Sequence, residues 1–289
     1  MIAATLKLEE ILQKTTDLPT LPKAALQVMR EADNPHSSAA SVAHLIGQDQ
    51  AITARVLRLA NSAYFGLARQ VTDLQEAVVV LGMRNVRNLI IVASTFPWLT
   101  RPLKGYKLGP RQMWTHSFCV GVAAKELAHR TKLADPDVAF TAGLLHNIGK
   151  VALSIWLENK VEAMMNLAAR EKLTFDQVER KLLGFSHADV GGHLAERWNL
   201  PNVFVDAIAF HHSPNSAPNP SAVTDYVHIG DFMTMSVGLG LGADGLRYEF
   251  QPEAMARVGI DESDVDSVLD SFLEAHEAYD ALFFSGTAD

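Results

Sequence analysis

The chain has 289 residues, with eleven histidines, one cysteine (Cys119) and a net charge of −8 from 25 Lys+Arg against 33 Asp+Glu. One thiol excludes an internal disulfide and any thiolate-built zinc or iron–sulfur centre, and the acidic balance argues against a nucleic-acid partner, which needs a basic face. With 48% hydrophobic and 20% charged residues the chain can build a packed core, and its length predicts two domains or one large one.

Taken in order, the first hundred residues read as short helices. Pro22 suits a first helical position, and Leu26, Val28 and Met29 follow at helical spacing. Asn34, Pro35 and His36 form a turn whose serines can cap a helix near 40–47 that buries Val42, Leu45 and Ile46. From Gln50, the residues Ile52, Val56, Leu57 and Ala60 repeat with helical period. Asp73 can cap a helix carrying Leu74, Ala77, Val78 and Leu81, and Gly82 offers it a stop. A further helix holds Val86, Leu89, Ile90 and Ala93 up to Pro97. Residues 100–110, with two prolines and two glycines, are expected to link two subdomains.

The second half is helical as well. One segment runs from Pro110 to about Lys132, and Asp135-Pro136 begins another that reaches His146. Thr174 with Gln177, and Ser186 with Asp189, have capping-box spacing. Leu200-Pro201 separates a helix ending at Asn199 from one reaching His211. The last two helices are expected over about 221–237 and 263–283. The fold class is therefore all-α, in two helical subdomains over 1–105 and 106–289. The most apolar run, Leu89 to Leu99, is interrupted by Ser94, Thr95 and Pro97 and is too short for a bilayer span. The N-terminus lacks a signal-peptide pattern, so a cytoplasmic protein with no membrane partner is expected.

Gly240-Leu241-Gly242-Ala243-Asp244-Gly245 spells a dinucleotide fingerprint. A helical pattern precedes it instead of a strand, so a turn is the better reading. The histidines carry more. His116, His146, His187, His211 and His212, with Asp231, sit in or beside five helices, and imidazole and carboxylate are what divalent metals take without thiolates. His36, His44, His129, His193, His228 and His276 read as ordinary core or surface histidines.

At His146-Asn147-Ile148-Gly149-Lys150 the chain resembles the HD superfamily of metal-dependent phosphohydrolases. The resemblance implies metal ligands at His116, His146, Asn147 and Asp231. It adds His187, His211 and His212 by similarity to the HD-GYP branch, which hydrolyses cyclic di-GMP. Lys150 matches a lysine near substrate phosphate. Two departures stand out: the carboxylate of the His-Asp pair is Asn147, and His212 runs into Ser213-Pro214-Asn215 where a GYP segment would follow. Removing one unit charge at ~4 Å is worth about 4 kcal/mol at an effective dielectric near 20, which weakens a divalent site. It also hampers activation of a bound water.

The first half resembles the HDOD domain, an HD-related output domain of bacterial signalling proteins. The residues that carry this are Leu18-Pro19-Thr20-Leu21-Pro22, Leu45-Ile46-Gly47-Gln48-Asp49, the run from Ala54 to Tyr64, Ala77 and Leu81-Gly82. The resemblance implies a non-catalytic regulatory module with an HD-like bundle as its second subdomain. Its partner would be a signalling protein or a small phosphate-containing ligand, and a homodimer is compatible. Arg55 and Arg58, three apart on one helix face, are candidates for binding a phosphate or an acidic partner, as is Lys150; for the two arginines a solvated basic face, or pairing with Asp49, is the better reading. The alternatives are a sensor holding Fe, Mn or Zn, and a metal-dependent cyclic-dinucleotide phosphodiesterase.

Overall fold

The computed structural model describes residues 8, 21–32, 34, 36–61, 69–245 and 247–269. Among these there is no strand, only an isolated bridge between Leu103 and Leu108, and the chain is all-α. It divides into two compact units, one built on Trp98–Phe272 and the other on Thr20–Pro97. Leu18 to Thr20, Ser62 to Tyr64 and most of the C-terminal helix expected from residue 263 lie outside the described residues.

The Thr20–Pro97 unit holds α1 (Lys23–Ala32), α2 (Ala39–Gly47), α3 (Gln50–Ala60) and most of α4 (Leu74–Leu99). The expected caps form. Ser38 closes a capping box with Ser41 at the head of α2, and Asp49 accepts the Ile52 N–H at 3.0 Å at the head of α3. Gly82 (φ 81°) bends α4 sharply, which is the stop its residue type suggested. Asn61 ends α3 and clamps the chain beyond it. Its amide donates to Leu57 O (2.8 Å) and Val71 O (2.7 Å) and accepts from Val71 N (2.7 Å).

Pro97 does not end its helix, which continues to Leu99. Proline has no N–H, so the carbonyl of Ala93 loses its normal helical donor. Arg55 fills that place, donating from Nη1 at 3.2 Å.

The Trp98–Phe272 unit contains α5 (Gln112–Thr131), α6 (Pro136–Leu145), α7 (Ile148–Leu157), α8 (Val161–Glu171), α9 (Phe175–Leu183), α10 (His187–Arg197), α11 (Asn202–Ala209), α12 (Ala222–Ser236) and α13 (Glu253–Val258). Helix α13 had no expectation in the sequence. The stretch 100–110 is packed rather than a free linker. Leu103, Tyr106 and Leu108 are buried, and Gly105 N–H donates to Ser154 Oγ at 3.1 Å. Helix α5 packs on α6 and α12, while α7 packs on α10 and α10 on α11. The stretch Pro136–Leu157 is long and apolar enough to cross a membrane, but it is core: most of it is buried, and it breaks at His146-Asn147 into α6 and α7. That break places His146 and Asn147 where the two packed helix groups meet.

Candidate functional site

Six of the expected site residues converge in the Trp98–Phe272 unit. His116 comes from α5, His146 caps the C-terminus of α6, His187 opens α10, His211 and His212 follow α11, and Asp231 comes from α12. They form a row of rings. Centroids are 5.4 Å apart for His116–His146, 4.9 Å for His146–His211, 5.4 Å for His187–His211 and 4.0 Å for His211–His212. Two groups bring ligand atoms within 4.8 Å of one another: His116, His146 and Asp231, and His187, His211 and His212.

Hydrogen bonds fix the proton positions. His146 Nδ1 lies 2.6 Å from Gly143 O, and His211 Nδ1 lies 2.7 Å from Ile208 O. Carbonyls only accept, so both rings carry the proton on Nδ1 and leave Nε2 as a lone pair. His187 Nδ1 meets the Glu179 carboxylate at 2.7 Å, with the same consequence. His212 Nε2 then donates to His187 Nε2 at 3.1 Å. His211 Nε2 is buried with no hydrogen-bond partner. His116 touches two acceptors, Asp231 Oδ1 at 2.9 Å and Leu239 O at 3.2 Å.

Burial lowers the pKa of His146 and pushes His211 well below the usual imidazole value, with the neighbouring histidines adding to the effect on His211. Burial also takes His212 to about 4, against the opposing pull of Asp176. For Asp231, burial works to raise the pKa. The hydrogen bond from His116 and the nearby ring of His146, 3.6 Å away, outweigh it and hold the carboxyl well below its ordinary range. The centre thus holds an anionic carboxylate, with His146, His211 and His212 biased towards their neutral forms.

Asn147 occupies the place of the expected carboxylate, and its Nδ2 lies 2.7 Å from His146 Nε2. The amide N–H caps the lone pair that a cation would take, and Asn147 Oδ1 is left buried without a partner. A divalent cation therefore fits the two sides unequally. His187, His211 and His212 offer neutral nitrogen donors and would hold the ion: His211 Nε2 is unsatisfied, and the Nε2 proton of His212 that covers the His187 lone pair can pass to Nδ1, which faces Asp231 Oδ2 at 4.0 Å. His116, His146 and Asp231 would have to displace the Asn147 amide first.

The glycine fingerprint is a turn, as expected, and it has a purpose beside the site. A Cβ on Gly240 (φ 65°) would stand 2.5 Å from Gln112 O and 2.7 Å from His116 Cβ. Only glycine lets this loop lie against α5. The loop delivers the part-buried Asp244 to the buried Lys150 as an ion pair, with the Lys150 Nζ over the Tyr106 ring. Burial works to raise the Asp244 pKa, and the Lys150 charge outweighs it and lowers it. A cavity of about 470 Å³ opens here, lined by Lys150, Asp176, Arg180, His187, His212, Asp231, Asp244, Arg247 and Tyr248 among others.

Arg55 and Arg58 belong to the other unit. Arg55 is engaged with Ala93 O, and Arg58 is exposed at the edge of a separate cavity with Asn61 and Arg69. His228 is a hydrogen-bonded core residue, as expected. It donates from Nδ1 to His211 O (2.7 Å) and accepts from Gln251 N (2.9 Å), so it steadies the loop carrying His211. Sequence reasoning passed over Glu179, Tyr106, Asp244 and Tyr248. The acidic residue inside the fingerprint was the one visible trace of this group.

A crystal structure of an HDOD domain protein of unknown function from Geobacter sulfurreducens is 30% identical, with 97% of this chain and 98% of that chain covered and a TM-score of 0.76. A Shewanella amazonensis SB2B chain named as a candidate phosphohydrolase is 26% identical, with 94% and 97% covered and a TM-score of 0.69. An uncharacterized protein of Treponema pallidum (strain Nichols) is 30% identical over 212 residues. These are 72% of this chain, which spans 40% of that relative's length. The HDOD domain matches residues 18–214, across the clamp at Asn61 and the histidine row from His116 to His212. With that match running through both units, the chain belongs to the HDOD domain family.

Proposed function

We propose that the chain is a regulatory module of cytoplasmic signal transduction that works by binding a small ligand or a signalling partner, without turning it over. The observation that carries this reading is the Asn147 amide on His146 Nε2, 2.7 Å away. A hydrolase of this class needs a charged bridge that helps a metal generate hydroxide. A neutral amide supplies no charge, and its N–H occupies the histidine's ligand position. Lys150 points the same way, since its charge is already answered by Asp244. When bound, a divalent cation would supply Lewis acidity. In this chain its best donors are His187, His211 and His212, which suits retention for sensing.

The test is direct. Tag-free protein incubated with Mn2+ and cyclic di-GMP is expected to release no product, and His146→Ala to behave identically. Hydrolysis that disappears in His146→Ala would overturn the reading. Asn147→Asp is expected to raise Mn2+ affinity by at least about tenfold in calorimetry, because it restores a charge whose Coulomb term is about 4 kcal/mol at ~4 Å.

A further inference from the structure

Glu179 is fully buried on α9, where a carboxylate survives only with donors around it. It has three. The Tyr106 hydroxyl donates to Oε1 at 2.5 Å, and the backbone N–H and the Nδ1–H of His187 both donate to Oε2 at 2.7 Å. The backbone donor is available because His187 is the first residue of α10, whose opening N–H groups have no partner inside the helix. Tyr106 is held independently, its carbonyl accepting from Ala243 N at 2.7 Å.

We propose that Glu179, backed by Tyr106, is a positioning residue that locks His187 in its Nδ1–H form and aims the Nε2 lone pair at a cation position shared with His211 and His212. A carboxylate only accepts, so the ring proton stays on Nδ1. A carboxylate behind a ligand histidine also raises the basicity of its far nitrogen. Without Glu179 the proton is free to move to Nε2, which leaves the ring no lone pair there for a cation even when the His212 proton passes to its own Nδ1. A purely structural glutamate would affect folding and leave the tautomer alone.

The inference rests on the cation-holding reading of these three histidines. The tautomer is nevertheless read in metal-free protein, so the two can fail separately. The experiment uses the full chain without a histidine tag, labelled with 15N-histidine, and records the His187 tautomer by NMR and Zn2+ affinity by chelator competition. Wild type is expected to carry the His187 proton on Nδ1. Glu179→Gln still offers an oxygen to His187 and is expected to keep that tautomer while losing about tenfold in Zn2+ affinity. Glu179→Leu is expected to move the proton to Nε2 and to lose about 100-fold. A wild-type His187 protonated on Nε2, or a folded Glu179→Gln with unchanged Zn2+ affinity, overturns the proposal whether or not Glu179→Leu folds.

Discussion

Metal-free protein is expected to lose stability steadily as the pH falls from about 6.5 towards 4. Burial lowers the folded pKa of His146, His211, His212 and His228. Each of these rings binds a proton more readily in the unfolded chain, where its pKa is near 6.5, than in the native cluster. Between the unfolded and folded values the unfolded state therefore holds more protons, and acid draws the equilibrium towards it. One such proton is worth ~1.4 kcal/mol per pH unit. His212, taken to about 4 in the fold, accounts for about 3 kcal/mol by itself over that window. His146, His211 and His228 act in the same direction.

Asp231 and Asp244 do not offset this loss. Their folded pKa values are depressed, so their contribution is complete above ~3.9 and falls away only at lower pH. Urea unfolding in EDTA, measured from pH 7 to pH 4.5, reads the effect. Stability that stays flat across that range would refute the neutral-imidazole cluster. Added Zn2+ should push the acid limb to lower pH, because a bound cation competes with the same protons.

The parts of this molecule that could be read from its sequence are the local ones. A capping box links residues three apart, so Thr174 with Gln177 and Ser186 with Asp189 were visible and both formed. Histidines in or beside helices are also visible as a type, and five of them converge with Asp231. The partners that complete the site are distant. Glu179 meets Tyr106 across 73 residues and Lys150 meets Asp244 across 94. Nothing in the pattern of an amphipathic α9 sets one glutamate apart as buried. Arg55 shows the same limit from the other side. It looked like a spare cation, and its acceptor is a carbonyl released by a proline 42 positions away in sequence, Pro97. Spacing along the chain reports helices and caps. Which charge is buried depends on packing between helices.

Gly149→Ala is expected to destabilise the fold by at least about 3 kcal/mol, above the usual range for overpacking. Alanine is ordinarily the better helix former by about 1 kcal/mol, so propensity alone predicts a gain. The site decides otherwise. A Cβ at position 149 would stand 1.9 Å from His187 O and 2.6 Å from Gly191 N. Both are backbone atoms of α10, which no side-chain rotation can move away. Relief requires α7 to lift off α10, and that displacement acts on function as well as stability. Asn147 and Lys150 flank Gly149 at the head of α7, and His187 is the residue whose carbonyl is struck. The variant should therefore lose Zn2+ affinity along with stability, even at temperatures where it remains folded. Urea unfolding and Zn2+ competition on the same preparation test both halves. An alanine variant within 1 kcal/mol of wild type would mean that α7 and α10 do not cross at this distance. The glycine of the His146-to-Lys150 motif thus serves the contact between two helices, and the chemistry of the neighbouring histidines depends on that contact.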